Sequence, residues 1–380
     1  MVYIERENFT GYDPYDALNS SLLKFLSFNR KWLRIAFIQL LKKSPINFRP
    51  VLGIRKGLNP KGLGLFLWGY AKLFALDKNP GYRAKIEMLL DLLDGLKSPG
   101  YSGNGWGYNF DWQSRAFYVP KYTPTIVNSS FIGHALIDTY RLTGWEKALE
   151  LALPIQDFIL KDLNRHEENG RICFSYTPLD KTRVHNANFL GASLLIRLYK
   201  YSGDRNLKTT ALSCLAYTMG YQRDDGSWPY AESAYQKWID SFHTGFNLQC
   251  LSYFLEEGEG MEYQAAFEKG AAFYAREFFL EDGRPKYYHD KIYPLDIHAA
   301  AQAIVVFSRM GGSYKDLDGR ILDSIITRFQ DRKGHFYYQI NKHLINKVPY
   351  MRWSQGWAFH ALTEYLFQTE RTNHADPRRS

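Results

Sequence analysis

Cysteine is scarce in this chain, with Cys173, Cys214 and Cys250 the only three in 380 residues. Their number is odd and none sits in a CxxC pair, which argues against a disulfide framework and against a structural zinc site. HExxH and similar tight metal-ligand spacings are also missing. The sequence therefore asks for no metal and no cofactor. The opening residues, MVYIEREN, lack the apolar core of a secretory signal. The longest apolar stretch, residues 62–76, is interrupted by Lys72 and is too short to span a bilayer. These absences read as a cytoplasmic protein. There is no run of five basic residues and no helix-turn-helix, zinc-finger or RNA-recognition signature, so nucleic acid is not expected as a partner. No linker or low-complexity stretch divides the chain. Residues 1–368 read as one domain and 369–380 as a polar, frayed tail.

Aromatic side chains are in excess: 28 Tyr, 25 Phe and 9 Trp, 16% of the residues. Most are expected to fill a large core. A minority suits a cleft that stacks on flat ligand faces such as sugar rings, because Tyr and Trp join an apolar body to a polar handle. The net charge is +9. An excess of that size favours acidic partners, here an anionic glycan or a membrane surface, with simple solubility as the plain alternative.

A repeat organises the chain. Phe131, Phe189, Phe246, Ala301 and Trp357 open five similar segments, 58, 57, 55 and 56 residues apart, and Phe66 opens a sixth, 65 residues before Phe131. Each is apolar on nearly all sides, the mark of a helix buried on both faces. Several stop at glycine, at Gly144, Gly203, Gly258 and Gly311-Gly312, where a helix end needs left-handed backbone. A more amphipathic helix follows each stop. An aromatic, extended return then leads to the next unit: GWGYNFDW, GRICFSYTP, GSWPYAE, GRPKYYHD and GHFYYQI. One such unit cannot bury its apolar face alone, so units must stack. Six units with doubly buried inner helices predict an all-α fold, an (α/α)6 toroid closed into a ring. The last unit lacks an outer helix, and residues 19–43 are predicted to supply it. A basic amphipathic helix lying on a membrane is the competing reading of those residues.

All returns enter the inner helices from one end, so polar residues at the helix starts are predicted to converge on a central funnel. The second unit would bring Trp112, Arg115 and Asn128, and the third His185 and Asn188. The fourth would bring Trp228, Tyr230, Glu232, Asp240 and His243. Tyr288, Asp296 and His298 come from the fifth, Arg352 and Trp353 from the sixth. WIDSFH (238–243) and YPLDIH (293–298) each set an Asp shortly before a His at a helix start. Capping of free N–H groups accounts for the Asp but not for the His. Glycosidic cleavage needs two carboxylates, one as acid and one as base or nucleophile. Asp240 and Asp296 are the expected catalytic pair, with His243 and His298 beside them and the other residues as a substrate-binding wall. The same wall admits proton abstraction at C5 of a uronate, with His185, His243 or Tyr288 as base and Arg115 or Arg352 as neutraliser. Glycan binding without catalysis is a third reading.

QRDDGSWPY (222–230) resembles the QW repeat of terpenoid cyclases and related strings in glycan-active toroids. The DxDD and DDxxD motifs of the cyclases are absent, which counts against their chemistry. Over nearly its full length the chain resembles the six-hairpin (α/α) glycosidase-type superfamily, which includes unsaturated uronyl hydrolases, sugar 2-epimerases and polysaccharide lyases. YTPTIVNSSFIGHAL (122–136) is similar to the helical domain of glucuronyl C5-epimerases. GYDPYDALNS (11–20) and PINFRPVLGI…NPKGLGLFL (45–67) resemble proteins of bacterial and archaeal surface-polysaccharide loci. The resemblance implies a toroid that acts on an acidic, uronate-containing oligo- or polysaccharide.

Overall fold

The computed structural model describes residues 1–375, with side chains through residue 373. Three helices precede the repeat: α1 (Val2–Arg6), α2 (Ser21–Leu26) and α3 (Lys31–Lys43). The chain then alternates inner and outer helices. Inner α4 (Pro60–Asp77) is followed by outer α5 (Pro80–Gly95), and inner α6 (Ile126–Thr143) by a broken outer stretch, α7 (Glu146–Ala152) and α8 (Ile155–Asp157). Inner α9 (His185–Ser202), α11 (Ser241–Glu256) and α13 (Ile297–Met310) alternate with outer α10 (Arg205–Met219), α12 (Gln264–Phe278) and α14 (Lys315–Ser324). Inner α15 (Trp357–Ala375) ends the series. Each inner helix packs on the next and α15 packs back on α4, so the ring is closed and the chain is an (α/α)6 toroid. No helix among the described residues is long and apolar enough to cross a membrane.

The burial pattern explains the two layers. In α4 every residue from Pro60 to Lys72 is buried, as a helix with neighbours on all sides requires. Gly69 stands where a Cβ would lie 2.4 Å from the Phe359 ring, so a glycine there lets α4 and α15 close the ring. Outer α12 buries one face only, through Phe267, Gly270, Ala271, Phe273, Tyr274 and Phe278. Gly144 and Gly203 end α6 and α9 in left-handed backbone (φ 72° and 69°), at stops read from the repeat.

A recurring backbone bond sews the returns to the ring. The first amide of an inner helix donates to a tyrosine carbonyl in the return of the next unit. The pairs are Ile126 to Tyr176 (3.0 Å), His185 to Tyr230 (3.1 Å), Ser241 to Tyr287 (3.0 Å) and Ile297 to Tyr338 (3.4 Å). A fifth bond closes the circle, from Met351, in the turn before α15, to Tyr12 (3.1 Å). At the sixth junction the helix opens with Pro60, which has no N–H to give. There the Asn59 side-chain amide donates to Asn109 Oδ1 (3.0 Å).

Two expectations need correction. Residues 19–43 do not supply the missing outer helix. They break into α2 and α3, and α3 lies against the Asp16–Asn19 turn and Trp112-Gln113. Asn346 of the sixth return donates to the carbonyls of Lys42 and Ser44 (3.2 and 2.9 Å), so α3 bridges the funnel mouth from the second return to the sixth. The reason is its narrow apolar seam. Only Ile38 and Leu41 are buried, enough for a satellite cluster with Ala17, Leu18, Leu23 and Ile54. The first dozen residues pack on α4 instead, where Ile4 and Phe9 join the main core and Phe9 meets Phe66 and Tyr70 edge-on. The start of the expected polar tail is helical instead. Glu370 to Asn373 contain no helix breaker, and α15 continues to Ala375; residues 376–380 lie outside the described residues.

Candidate active site

The fourth unit carries the best-formed arrangement. Asp240 is the N-cap of α11, and its Oδ1 accepts the amide of His243 (3.0 Å). Its Oδ2 accepts the Trp238 indole N–H (2.9 Å) and faces His243 Nδ1 at 2.7 Å. A carboxylate against Nδ1 keeps the proton there and leaves the lone pair on Nε2. His243 can reach its own cap because it is the third residue of the helix, the position used in capping boxes. Its ring lies against Tyr230 (4.7 Å) and Phe242 (4.4 Å), yet 22% of the side chain remains exposed. Tyr230 in turn stacks on Trp238 at 4.5 Å. With Asn186, Trp228 and Asn247, these residues line a shallow recess that is too tight, as it stands, to admit a water molecule. Asn186 Oδ1, Asn247 Oδ1 and Trp228 Nε1 have no protein partner. Buried polar atoms are seldom left so.

The fifth unit repeats the motif without its geometry. Asp296 Oδ1 accepts the amides of His298 and Ala299 (2.8 and 3.2 Å), and Oδ2 accepts from Gln339 (2.7 Å). Both oxygens are engaged, and burial pushes the carboxyl up to about 6 against those donors. His298 is the second residue of α13, one place earlier than His243 in α11. One residue is about 100° of helix rotation, and the ring turns away from its Asp. It stacks between Phe242 (4.5 Å) and Trp357 (4.2 Å) with neither ring nitrogen partnered. Burial, then Lys61 and Arg352, hold His298 well below an ordinary histidine, so the ring is neutral. In place of two matched carboxylates there is one Asp–His pair and one capping Asp.

The remaining predicted residues divide. Trp228 and Tyr230 share the recess with Asp240 and His243. Trp353 approaches from the sixth unit, edge-on to Phe242 (5.5 Å) and His298 (4.7 Å). Tyr288 bridges Asp240 through the backbone. Burial and then Asp240 push its phenol up to about 12, which makes it a proton donor and not a base. Trp112 meets Tyr15, Tyr108 and Tyr176 at the mouth, and Arg115 is exposed beyond it. Asn128 is buried on the first turn of α6 with both amide atoms unpartnered.

Four more of the expected residues meet partners outside the recess. Asn188, a full turn into α9, faces the outer layer: it donates to the carbonyls of Ile172 and Cys214 (both 3.2 Å) and accepts the Phe174 amide (3.0 Å). His185 packs on Tyr221 of the outer layer at 4.2 Å, and burial, then Arg183, lower it to about 4. Glu232 pairs with Arg183 (2.8 Å) and accepts the Tyr217 hydroxyl. Arg352 is held by Asp13 through two bonds (2.6 and 2.8 Å), so its charge is already matched.

Two features escape the sequence reading. Lys61, on the first turn of α4, is buried and makes no ion pair among the described residues. It lies 4.0 Å over the Phe131 ring and 5.3 Å from that of Trp357. Burial, then Arg352, pull its pKa well down, with Asp13 pulling the other way. The available signal is Asn59-Pro60, a capping residue followed by a helix-opening proline. The second feature is a cover over the funnel. Asp16 pairs with Arg49 (2.6 Å), and Tyr15 lies against Trp112 and Trp353 with its hydroxyl bonded by Lys42 (2.8 Å). Among the described residues no three His, Cys, Asp or Glu are placed to hold a metal ion.

A closed ring of six inner helices, with the returns gathered at one end, defines the (α/α)6 toroid class. No protein-family model matches the chain, and no curated protein matches it by sequence. Solved structures match the fold. Cellobiose 2-epimerase from Bacillus thermoamylovorans aligns with a TM-score of 0.63 at 15% identity, over 84% of this chain and 90% of that one. A GH76 α-mannanase from Bacteroides thetaiotaomicron aligns with a TM-score of 0.62 at 15% identity, over 83% and 88%. A D-mannose isomerase aligns with a TM-score of 0.61 at 10% identity, over 82% and 87%. At these identities the likeness is one of fold.

Proposed function

We propose that this chain is a carbohydrate-active enzyme that moves a proton at a sugar carbon beside a carbonyl or carboxylate, as in epimerisation or elimination. The Asp240–His243 pair carries the reading. His243 Nε2 takes the proton as general base, and Asp240 stabilises the imidazolium that forms. The Trp228, Tyr230 and Trp238 rings around it suit a sugar face. Exposed Arg115 is a cation available for a developing oxyanion or a uronate carboxylate, which supports an anionic glycan as substrate. Cleavage by Asp240 and Asp296 has less support, since Asp296 is buried with both oxygens engaged. The epimerase, mannanase and isomerase folds support sugar chemistry without choosing its kind. Three free, buried cysteines fit a reducing, cytoplasmic setting.

The test is NMR in deuterated water with reducing and uronate-containing oligosaccharides. Deuterium at C2 or C5, or an unsaturated chain end, is expected, and His243→Ala should abolish it. Saturated shorter chains without deuterium would replace proton transfer with hydrolysis. Sugars that bind and stay unchanged would make the protein a binder.

A further inference from the structure

The positive charge of this chain is not spread evenly. Residues 17–76 contain eleven of the 48 Lys and Arg and no Asp or Glu, so the other 320 residues carry 37 basic against 39 acidic side chains. The same stretch holds α2, α3 and the loop after them, and it exposes apolar side chains as no other part does. Among the described residues, nine of the twenty exposed large apolar side chains fall between Leu22 and Val51.

Their placement is ordered. Helix α3 buries Ile38 and Leu41, while Trp32, Ala36 and Leu40 stand four residues apart in an exposed row. The turn between α2 and α3 presents Phe25 and Phe28, 73% and 65% exposed, with rings 6.2 Å apart. Phe28 and Asn29 both have left-handed backbone (φ 45° and 57°), which a bulky residue seldom adopts. The turn is nevertheless held, because the Phe28 and Arg30 amides donate to the carbonyls of Phe25 (3.0 Å) and Ser27 (2.8 Å). Arg30 and Lys31 follow these rings in the chain and Lys43 ends α3, all three exposed and without carboxylate partners among the described residues, and Lys31 lies 5.3 Å over Trp32. Exposed apolar prongs on a stretch whose only charges are basic match the chemistry of an interfacial segment: aromatics reach the headgroup level and cations meet anionic phosphates.

We propose that α2, α3 and the following loop dock this protein on an anionic lipid surface, with Phe25, Phe28, Trp32 and Leu40 entering the acyl boundary. Nothing here spans the bilayer. Helix α3 has 13 residues, about 20 Å of rise. Because α3 also bridges the funnel mouth, docking turns that mouth toward the membrane.

Co-sedimentation of the full-length protein with phosphatidylcholine vesicles, with and without phosphatidylglycerol, tests this. Binding should require phosphatidylglycerol and weaken with salt. Arg30→Gln and Lys31→Gln should each lower the partition coefficient about fivefold. The double variant Phe25→Ser/Trp32→Ser should lose binding while its thermal unfolding stays as in the parent, since both side chains are exposed. Absence of binding at low salt, or binding to both vesicle types that survives these changes, would overturn the proposal. So would a dimer that Phe25→Ser/Trp32→Ser disperses, which would give the face to a second copy. The assay contains no sugar, so its failure and the failure of the proton-transfer reading are separate results.

Discussion

The two ends of the inner ring are made by the same helices and treat polar groups in opposite ways. Away from the funnel, Lys72, Asp138, Arg197, Tyr253 and Arg309 each stand twelve residues past the first residue of their inner helix, so the repeat sets them at one level. There the charges are matched. Lys72 pairs with Glu364 and Arg197 with Asp138, which also accepts the Trp68 indole N–H (2.7 Å). Arg309 reaches Glu256 (2.5 Å) and Glu364 (3.8 Å). Burial pushes Asp138 up, but Arg197, Arg309 and Lys72 outweigh it and hold it below the usual carboxylate range. At the funnel end, Asn128, Asn186 and His298 keep buried polar atoms with no protein partner. Both ends are polar and enclosed. The matched end also leaves Arg197 Nε, Arg309 Nε and His360 Nε2 without a partner, so the two ends differ in the pairing of charge and not in the count of unpartnered atoms.

The largest effect should come from breaking the matched end. Lys72→Met leaves Glu364 charged and buried, and should cost about 3–5 kcal/mol in urea unfolding. Adding Glu364→Leu should recover most of that loss; a double variant as weak as the single would remove the pairing from the account. A smaller effect is expected at the funnel. Asp240→Asn keeps a capping oxygen but no longer orients the His243 ring. Turnover should fall roughly a hundredfold, and stability should move by less than about 1 kcal/mol. Unchanged turnover would sink the Asp240–His243 mechanism.

Acidification should give the smallest effect per group, and it acts on both ends. His134, His298 and His360 are held neutral by burial, well below an ordinary histidine. Below about pH 6.5 unfolded histidines take up protons and these do not, so the unfolded chain binds more protons and stability falls as pH drops. Asp16 and Asp296, both raised by burial to about 6, act the other way. Between the ordinary carboxylate range and pH 6 they hold protons that the unfolded chain has released, and their contribution grows as pH falls. Asp318, raised by burial to about 7, joins them, and His185 and His335, lowered by burial, join the histidines, so five groups against three leave a net loss. Each histidine contributes at most about 1.4 kcal/mol per pH unit, and His298→Phe should flatten the stability profile measured from pH 7 to 5. An unaltered profile would mean that His298 is already protonated or free to become so.

The ring is legible in the sequence because its period needs only doubly apolar helices and glycine stops, which local residues encode. The site end is legible for the same reason, since every return precedes a helix start. The direction of each side chain is not. WIDSFH and YPLDIH differ by one residue in the spacing of Asp and His, and that residue separates an oriented base from a stacked, unpaired ring. Asn188 lies just past the turn that faces the funnel. Asp13 and Arg352 are 339 residues apart, beyond any local pattern.

The bond from Met351 to Tyr12 also orders events in time. The other four stitches join residues 41 to 50 positions apart, whereas this one joins residues 339 positions apart. A longer loop adds little closure entropy, because the cost grows only with the logarithm of length. The delay is instead one of supply. During synthesis Tyr12 emerges well before Met351, so this bond waits for the sixth unit. A circular permutant opened at the Pro60 junction, where no backbone stitch exists to lose, would turn the ring's most distant closure into a neighbourly one.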